Sequence, residues 1–311
     1  MAPVGVGGAR GRRCRADVRA GVQRLVPSRR RDDDRAVRRL MIEGVEAPDG
    51  SPSRVASEPP RTPYPRWGLP AFFVGVGFFV LAELVGTVLQ LVVGDDAPDL
   101  MVLVGYLLVW AAFLGALAIA TLTGGRRSFV ADFGLRFRWV DLPLGVVLGV
   151  AVAIGAGFLE NWIISMLGGA GFSNLPSRSE PAAWYVVNAV LGAAIIAPFV
   201  EELFFRGLFL RSLAHLVRGG LHRTRGRDWD PALQDPPRGR RIAAALVSVG
   251  VSAVVFTSFH MLEAAEPVDL LILAAGTLPL GILNGILAYR TGRLGPGIVA
   301  HVTFNAFALL A

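Results

Sequence analysis

The sequence predicts an all-α fold, a polytopic transmembrane helix bundle with about seven spans, and three observations predict it. Hydrophobic residues make up 53% of the 311-residue chain and charged residues only 18%, with a mean hydropathy of +0.52, a composition outside that of soluble globular domains. Apolar runs of the roughly 20 residues needed to cross a ~30 Å hydrocarbon layer recur along the chain. The loops between those runs alternate in arginine content, as the positive-inside rule requires.

Residues 1–66 read as an Arg-rich N-terminal arm. The net charge of +7 and pI near 10.7 suggest an anionic partner, but all 31 basic residues are Arg, which reads as the coding bias of a GC-rich genome. Residues 1–40 hold 12 Arg against Asp17, Asp32, Asp33 and Asp34, whereas residues 41–311 hold 19 Arg and 20 acids. The body is therefore not basic, and no nucleic-acid partner is expected. The arm has no hydrophobic period and is expected to be disordered, with Met41 an alternative start. No signal peptide is evident. The lone Cys14 lies in the arm, so the body has neither disulfides nor a Cys-based metal site.

Residues 67–183 read as N-terminal membrane helices. Run 69–93 contains one acid, Glu83; run 100–122 is uncharged; run 142–167 is interrupted only by Glu160 and Asn161. Residues 184–311 follow as the functional core. A run opening at Trp184 continues past Pro198 into Glu201-Glu202-Leu203-Phe204-Phe205-Arg206, and runs 242–262, 270–289 and 295–311 complete the set. Loop 94–99 is acidic, the next holds Arg126, Arg127, Arg136 and Arg138, loop 215–241 carries seven Arg, loop 263–269 is acidic, and the last turn has Arg290 and Arg293. This alternation puts the N-terminus in the cytoplasm and the C-terminus outside, in a bacterial cell membrane.

Ionisable groups within apolar helices cost ~2.5–3.5 kcal/mol each at mid-bilayer on insertion scales, so each is a functional-site hypothesis. Glu202 and Arg206, four apart, can pair on one helix face, leaving Glu201 about 100° around the axis. Phe256 and His260 lie one turn apart on the next helix, as do His301 and Asn305 on the last. Singly, His260 or His301 reads as a packing histidine, and Glu83 and Glu160 as pairing or anchoring groups. Together, two Glu, two His and an Asn on three apolar helices supply what a water-activating site needs: a carboxylate base, an orienting imidazole and an oxyanion donor.

These motifs resemble those of the CPBP family of intramembrane proteases, also called Abi, which includes CAAX prenyl endopeptidases and bacterial relatives tied to bacteriocin processing. The resemblance rests on Glu201-Glu202-Leu203-Phe204-Phe205-Arg206-Gly207, Phe256-Thr257-Ser258-Phe259-His260 and His301-Val302-Thr303-Phe304-Asn305, in that order, and it covers residues 184–311. It implies an endopeptidase acting on a membrane-associated peptide or protein, with the lipid bilayer as its other partner. It further implies that Glu201 and His260 activate water, that His301 and Asn305 stabilise the oxyanion, and that Glu202 and Arg206 hold the site together.

No cofactor is assigned. Glu201, His260 and His301 have the ligand types of a two-His, one-Glu site for a divalent metal such as zinc, but the His-Glu-x-x-His signature is missing and the preferred reading is metal-free. The transporter alternative, in which the same residues form a proton relay, is disfavoured by the lack of an internal repeat. The other alternative is a catalytically silent immunity or scaffold protein. The substrate stays open among prenylated CAAX peptides, bacteriocin leaders and membrane-protein tails.

Counted along ideal helices, Glu201 falls near the cytoplasmic side and His260 near the outer side. The expected remedy is a bend at Pro198, with residues 192–213 surrounding Glu201, the fifth helix starting near Ser248, and Arg211 snorkelling to the inner interface.

Overall fold

The computed structural model describes residues 67–94, 96–168, 182–219 and 237–310. The expectations for the arm, Met41 and Cys14 lie outside these residues, as does much of loops 168–183 and 215–241. The described chain is all-helical. Among the described residues six helices are long and apolar enough to cross a membrane, and the chain is an integral membrane protein.

Helix α1 runs over Leu69–Val93 and α2 over Pro98–Gly124, each with a proline in its first two positions, where the missing N–H has no intrahelical partner to lose. A five-residue helix, α3 (Phe129–Phe133), leads into α4 (Asp141–Leu167). Helix α5 extends over the 37 residues Ala182–Arg218, α6 over Arg238–His260 and α7 over Pro267–Thr291. The last helix, α8, covers the 16 residues Gly295–Leu310, about 24 Å of helix. It is apolar but shorter than a full span, so it differs from the other six.

Burial follows the membrane rather than a water-excluding core. Phe73, Leu84, Leu91 and Phe158 are exposed at the helix faces, where lipid takes the place of a protein partner. The buried core is aromatic and centres on α5: Phe204 and Phe205 pack with Phe72 and Phe113 from α1 and α2 and with Phe256 from α6. Phe204 stacks on Phe113 at 4.1 Å and Phe209 on Phe72 at 3.8 Å. Helix α1 approaches this stack through Gly75, where a side chain would strike the Phe204 ring.

Around the site, α8 packs along α4, and α6 along α7 and the end of α5. One end of this assembly is tied by charge. Arg293, in the α7–α8 turn, donates to Asp141 at the start of α4 at 2.6 and 3.3 Å, and that bond raises the guanidinium above its ordinary pKa. Arg211 donates to the carbonyl of Gly292 at 2.8 Å, which ends α7 in the left-handed region at φ 67°. Arg211 thus fastens the end of one helix to another.

One expectation about helix α6 needs correction. Helix α6 begins at Arg238, before Ile242 rather than near Ser248, because Arg238, Arg240 and Arg241 extend its first turn with side chains that need no apolar surroundings. Helix α5 stays helical through Pro198; its register is adjusted by two stretches of wider π-helix, Val186–Ile196 and Glu202–Phe209.

Gly75→Ala is expected to destabilise the protein by about 1–3 kcal/mol, the usual scale of overpacking, since the new methyl would also lie 3.0 Å from Ala116 Cβ. Thermal unfolding in detergent reads this directly, and a midpoint equal to the wild type would contradict the packing described.

Candidate active site

The two π stretches of α5 flank Glu201 and free backbone groups that other helices meet. The N–H of Ala197 bonds to Gly192 O, five residues back. Pro198 has no N–H to continue that ladder, so the carbonyl of Ala193 loses its partner. Asn305 of α8 supplies it, donating Nδ2–H at 2.9 Å. In the second stretch Phe205 O takes the N–H of Leu210 and also the hydroxyl of Ser252 at 3.2 Å. Single π turns within helices occur often at functional sites; here they set the face that α5 presents.

That face carries the charged cluster. Glu202 is 1% exposed and Arg206 0%, and burial on this scale requires partners for both. Oxygen Oε1 of Glu202 accepts from Asn284 Nδ2 at 2.9 Å and from His301 Nδ1 at 3.1 Å. Arg206 Nη1 stands 3.2 Å from the same oxygen, yet none of its guanidinium nitrogens is aligned for a hydrogen bond. Its charge is met by the carboxylate and by the face of Phe256, 4.2 Å from Cζ.

With its Nδ1–H donated to Glu202, His301 leaves Nε2 as its free edge, and this nitrogen lies 3.8 Å from Oε2 of Glu201. The Glu201 side chain is 20% exposed, against 3% for His301, so Glu201 is the accessible member of the group. A carboxylate open to a ligand thus faces an imidazole whose other nitrogen is anchored to a buried carboxylate.

The remaining two expected residues sit differently. His260 directs Nδ1 to its own helix, 3.0 Å from Phe256 O, and makes no bond to Glu201 among the described residues. The Phe256 ring touches both imidazoles, 4.6 Å from His260 and 5.6 Å from His301. Asn305 uses one amide hydrogen on α5, as above. Glu201, Glu202, Arg206 and His301 therefore converge directly, while His260 and Asn305 border them.

Residues 182–307 match the family model of the type II CAAX prenyl endopeptidase Rce1-like proteins. The chain carries an Rce1-like domain. No curated protein and no solved structure matches it. The matched segment begins with α5 and ends within α8, so the whole cluster lies within the Rce1-like domain, and the family that this domain matches is one of peptidases.

The metal question can be put to the donors of this domain. Among the described residues no group of three or more His, Cys, Asp or Glu side chains is disposed to hold a metal ion. Glu201 and His301 approach each other, but His260 turns to its own backbone, so the three do not form a two-His, one-Glu set.

Sequence reasoning passed over Asn284, which is fully buried against Glu202. Its signal was present: an amide inside the apolar run 270–289 is a polar group that a membrane helix retains only where it finds a partner. Unlike Asn305, Asn284 lies outside all three motifs.

Arg206→Met is expected to destabilise the protein by about 3–5 kcal/mol, because it leaves Glu202 buried without its counter-charge. The double variant Glu202→Gln/Arg206→Met should lose distinctly less than the sum of the two single changes. Unfolding of all three variants in detergent measures the coupling, and strict additivity would contradict the pairing.

Proposed function

We propose that this chain is an intramembrane endopeptidase that hydrolyses a peptide bond in a membrane-associated peptide or protein, with Glu201 as general base. The observation that carries this reading is the approach of the accessible Glu201 carboxylate to His301 Nε2 at 3.8 Å, within a domain whose family implies peptidase activity. A water held by Glu201 gives up its proton to the carboxylate as its oxygen bonds to the scissile carbonyl carbon. The resulting oxyanion is stabilised by His301 and by the second amide hydrogen of Asn305. Collapse of the tetrahedral intermediate breaks the C–N bond, and the proton on Glu201 passes to the leaving amine.

His260 joins Glu201 on the attacking water in this reading. Its Nε2 is free because Nδ1 is turned to Phe256 O, and catalytic hydrogen bonds often tighten only when substrate is present. Glu202 and Arg206 hold the imidazole of His301 in place and touch no substrate. The alternating loop arginines support a cytoplasmic N-terminus.

The test is cleavage of a library of membrane peptides, including prenylated CAAX peptides and leader peptides, by protein reconstituted in lipid. Glu201→Gln preserves shape but not basicity and is expected to lower kcat/KM by about 10²–10⁴-fold with an unchanged unfolding midpoint. Wild-type rates should be the same with and without a chelator. A Glu201→Gln variant as active as the wild type would sink the assignment, and proton-coupled uptake without cleavage would favour a transporter.

A further inference from the structure

Glu202 is met by donors of two kinds. Arg206 balances its charge without a directed hydrogen bond, so the guanidinium does not by itself fix how the carboxylate is turned. The directed bonds come from Asn284 on α7 and His301 on α8, both to Oε1. Removing the Asn284 bond would free Glu202 to rotate toward Arg206 and away from the imidazole.

Gly297 of α8 faces the pair at ordinary contact distance: a Cβ there would lie 3.4 Å from Glu202 Oε2 and 3.5 Å from the Asn284 side chain. Asn284 is 0% exposed, and its Oδ1 has no hydrogen-bond partner among the described residues. A buried acceptor left unpaired is a cost that an apolar side chain of similar size would not carry. What the amide contributes against that cost is its directed bond to Glu202.

We propose that Asn284 is a positioning residue of the active site, which turns Glu202 so that Oε1 meets His301 Nδ1–H and Nε2 of the same ring is held toward Glu201. The inference deepens the endopeptidase reading and rests on it for its catalytic consequence, but the geometry of the ring can be tested without turnover. Asn284 touches no reacting atom. It acts through two intermediaries, as the partners that orient a ligating or catalytic histidine generally do.

The experiment labels the four His of the chain with ¹⁵N, assigns His301 by loss of its signal in His301→Gln, and records imidazole shifts of lipid-reconstituted protein beside peptide cleavage. In the wild type the His301 ring should carry a proton on Nδ1. Asn284→Leu should fold, lose the fixed Nδ1–H state and lower kcat about 10- to 100-fold with KM within about twofold, the mark of a group that acts after binding. Asn284→Gln, which keeps an N–H donor, should recover part of both. A wild-type His301 with bare Nδ1 overturns the proposal whatever the variants do, including the case in which Asn284→Leu does not fold. So does an Asn284→Leu variant with wild-type ring shifts. If the wild type cleaves no peptide, the endopeptidase reading fails and the ring shifts alone decide the role of Asn284.

Discussion

The carboxylate of Glu202 is the constraint on which the rest of the site depends. Buried among helices in a membrane protein, it has no bulk water to solvate it, and each missing partner would be costly. Three helices therefore converge on one oxygen: α5 through Arg206, α7 through Asn284 and α8 through His301. Arg206 also meets an independent packing demand, since it lies on Phe256 of α6, and Phe205 packs edge-on to the same ring. Charge pairing and aromatic packing thus specify the same arrangement, the agreement between levels that makes a fold unique.

The division of labour between adjacent residues follows from burial. Glu201 and Glu202 have the same side chain, yet one is partly open and faces a free nitrogen while the other is enclosed and saturated with donors. Two like groups with opposed surroundings are the usual means by which one site obtains both a reactive and a supporting carboxylate. His301 links them, and its two nitrogens give the ring one structural edge and one chemical edge.

Much of this was legible in the chain. Length and apolarity located the spans, with α1 read to the residue and α2, α4 and α7 to within three residues at either end, because Pro and Gly punctuate those helices. Spacing placed Glu202 beside Arg206, and order placed His301 within the group. What stayed hidden depended on hydrogen-bond register rather than composition. Nothing in residues 182–219 announces a π-helix, so the face that α5 presents could not be counted from ideal turns. Asn305 was read only as a donor to substrate because the carbonyl of Ala193 becomes orphaned only in three dimensions. Asn284 stayed hidden because it lies outside the three motifs.

The wider turns of α5 also bear on how such a chain can change. Relative to an α-helix a π turn is an accommodated extra residue, so closing it can absorb a one-residue deletion, whereas a deletion in a regular α turn rotates everything beyond it by about 100°. A one-residue deletion within Val186–Ile196 would then leave Glu201 facing His301, while one in an unbroken α-helix such as α6 would keep the motifs in the text of the sequence and turn His260 out of place. Which length variants remain competent therefore depends on the helix in which they fall and not on the motifs alone.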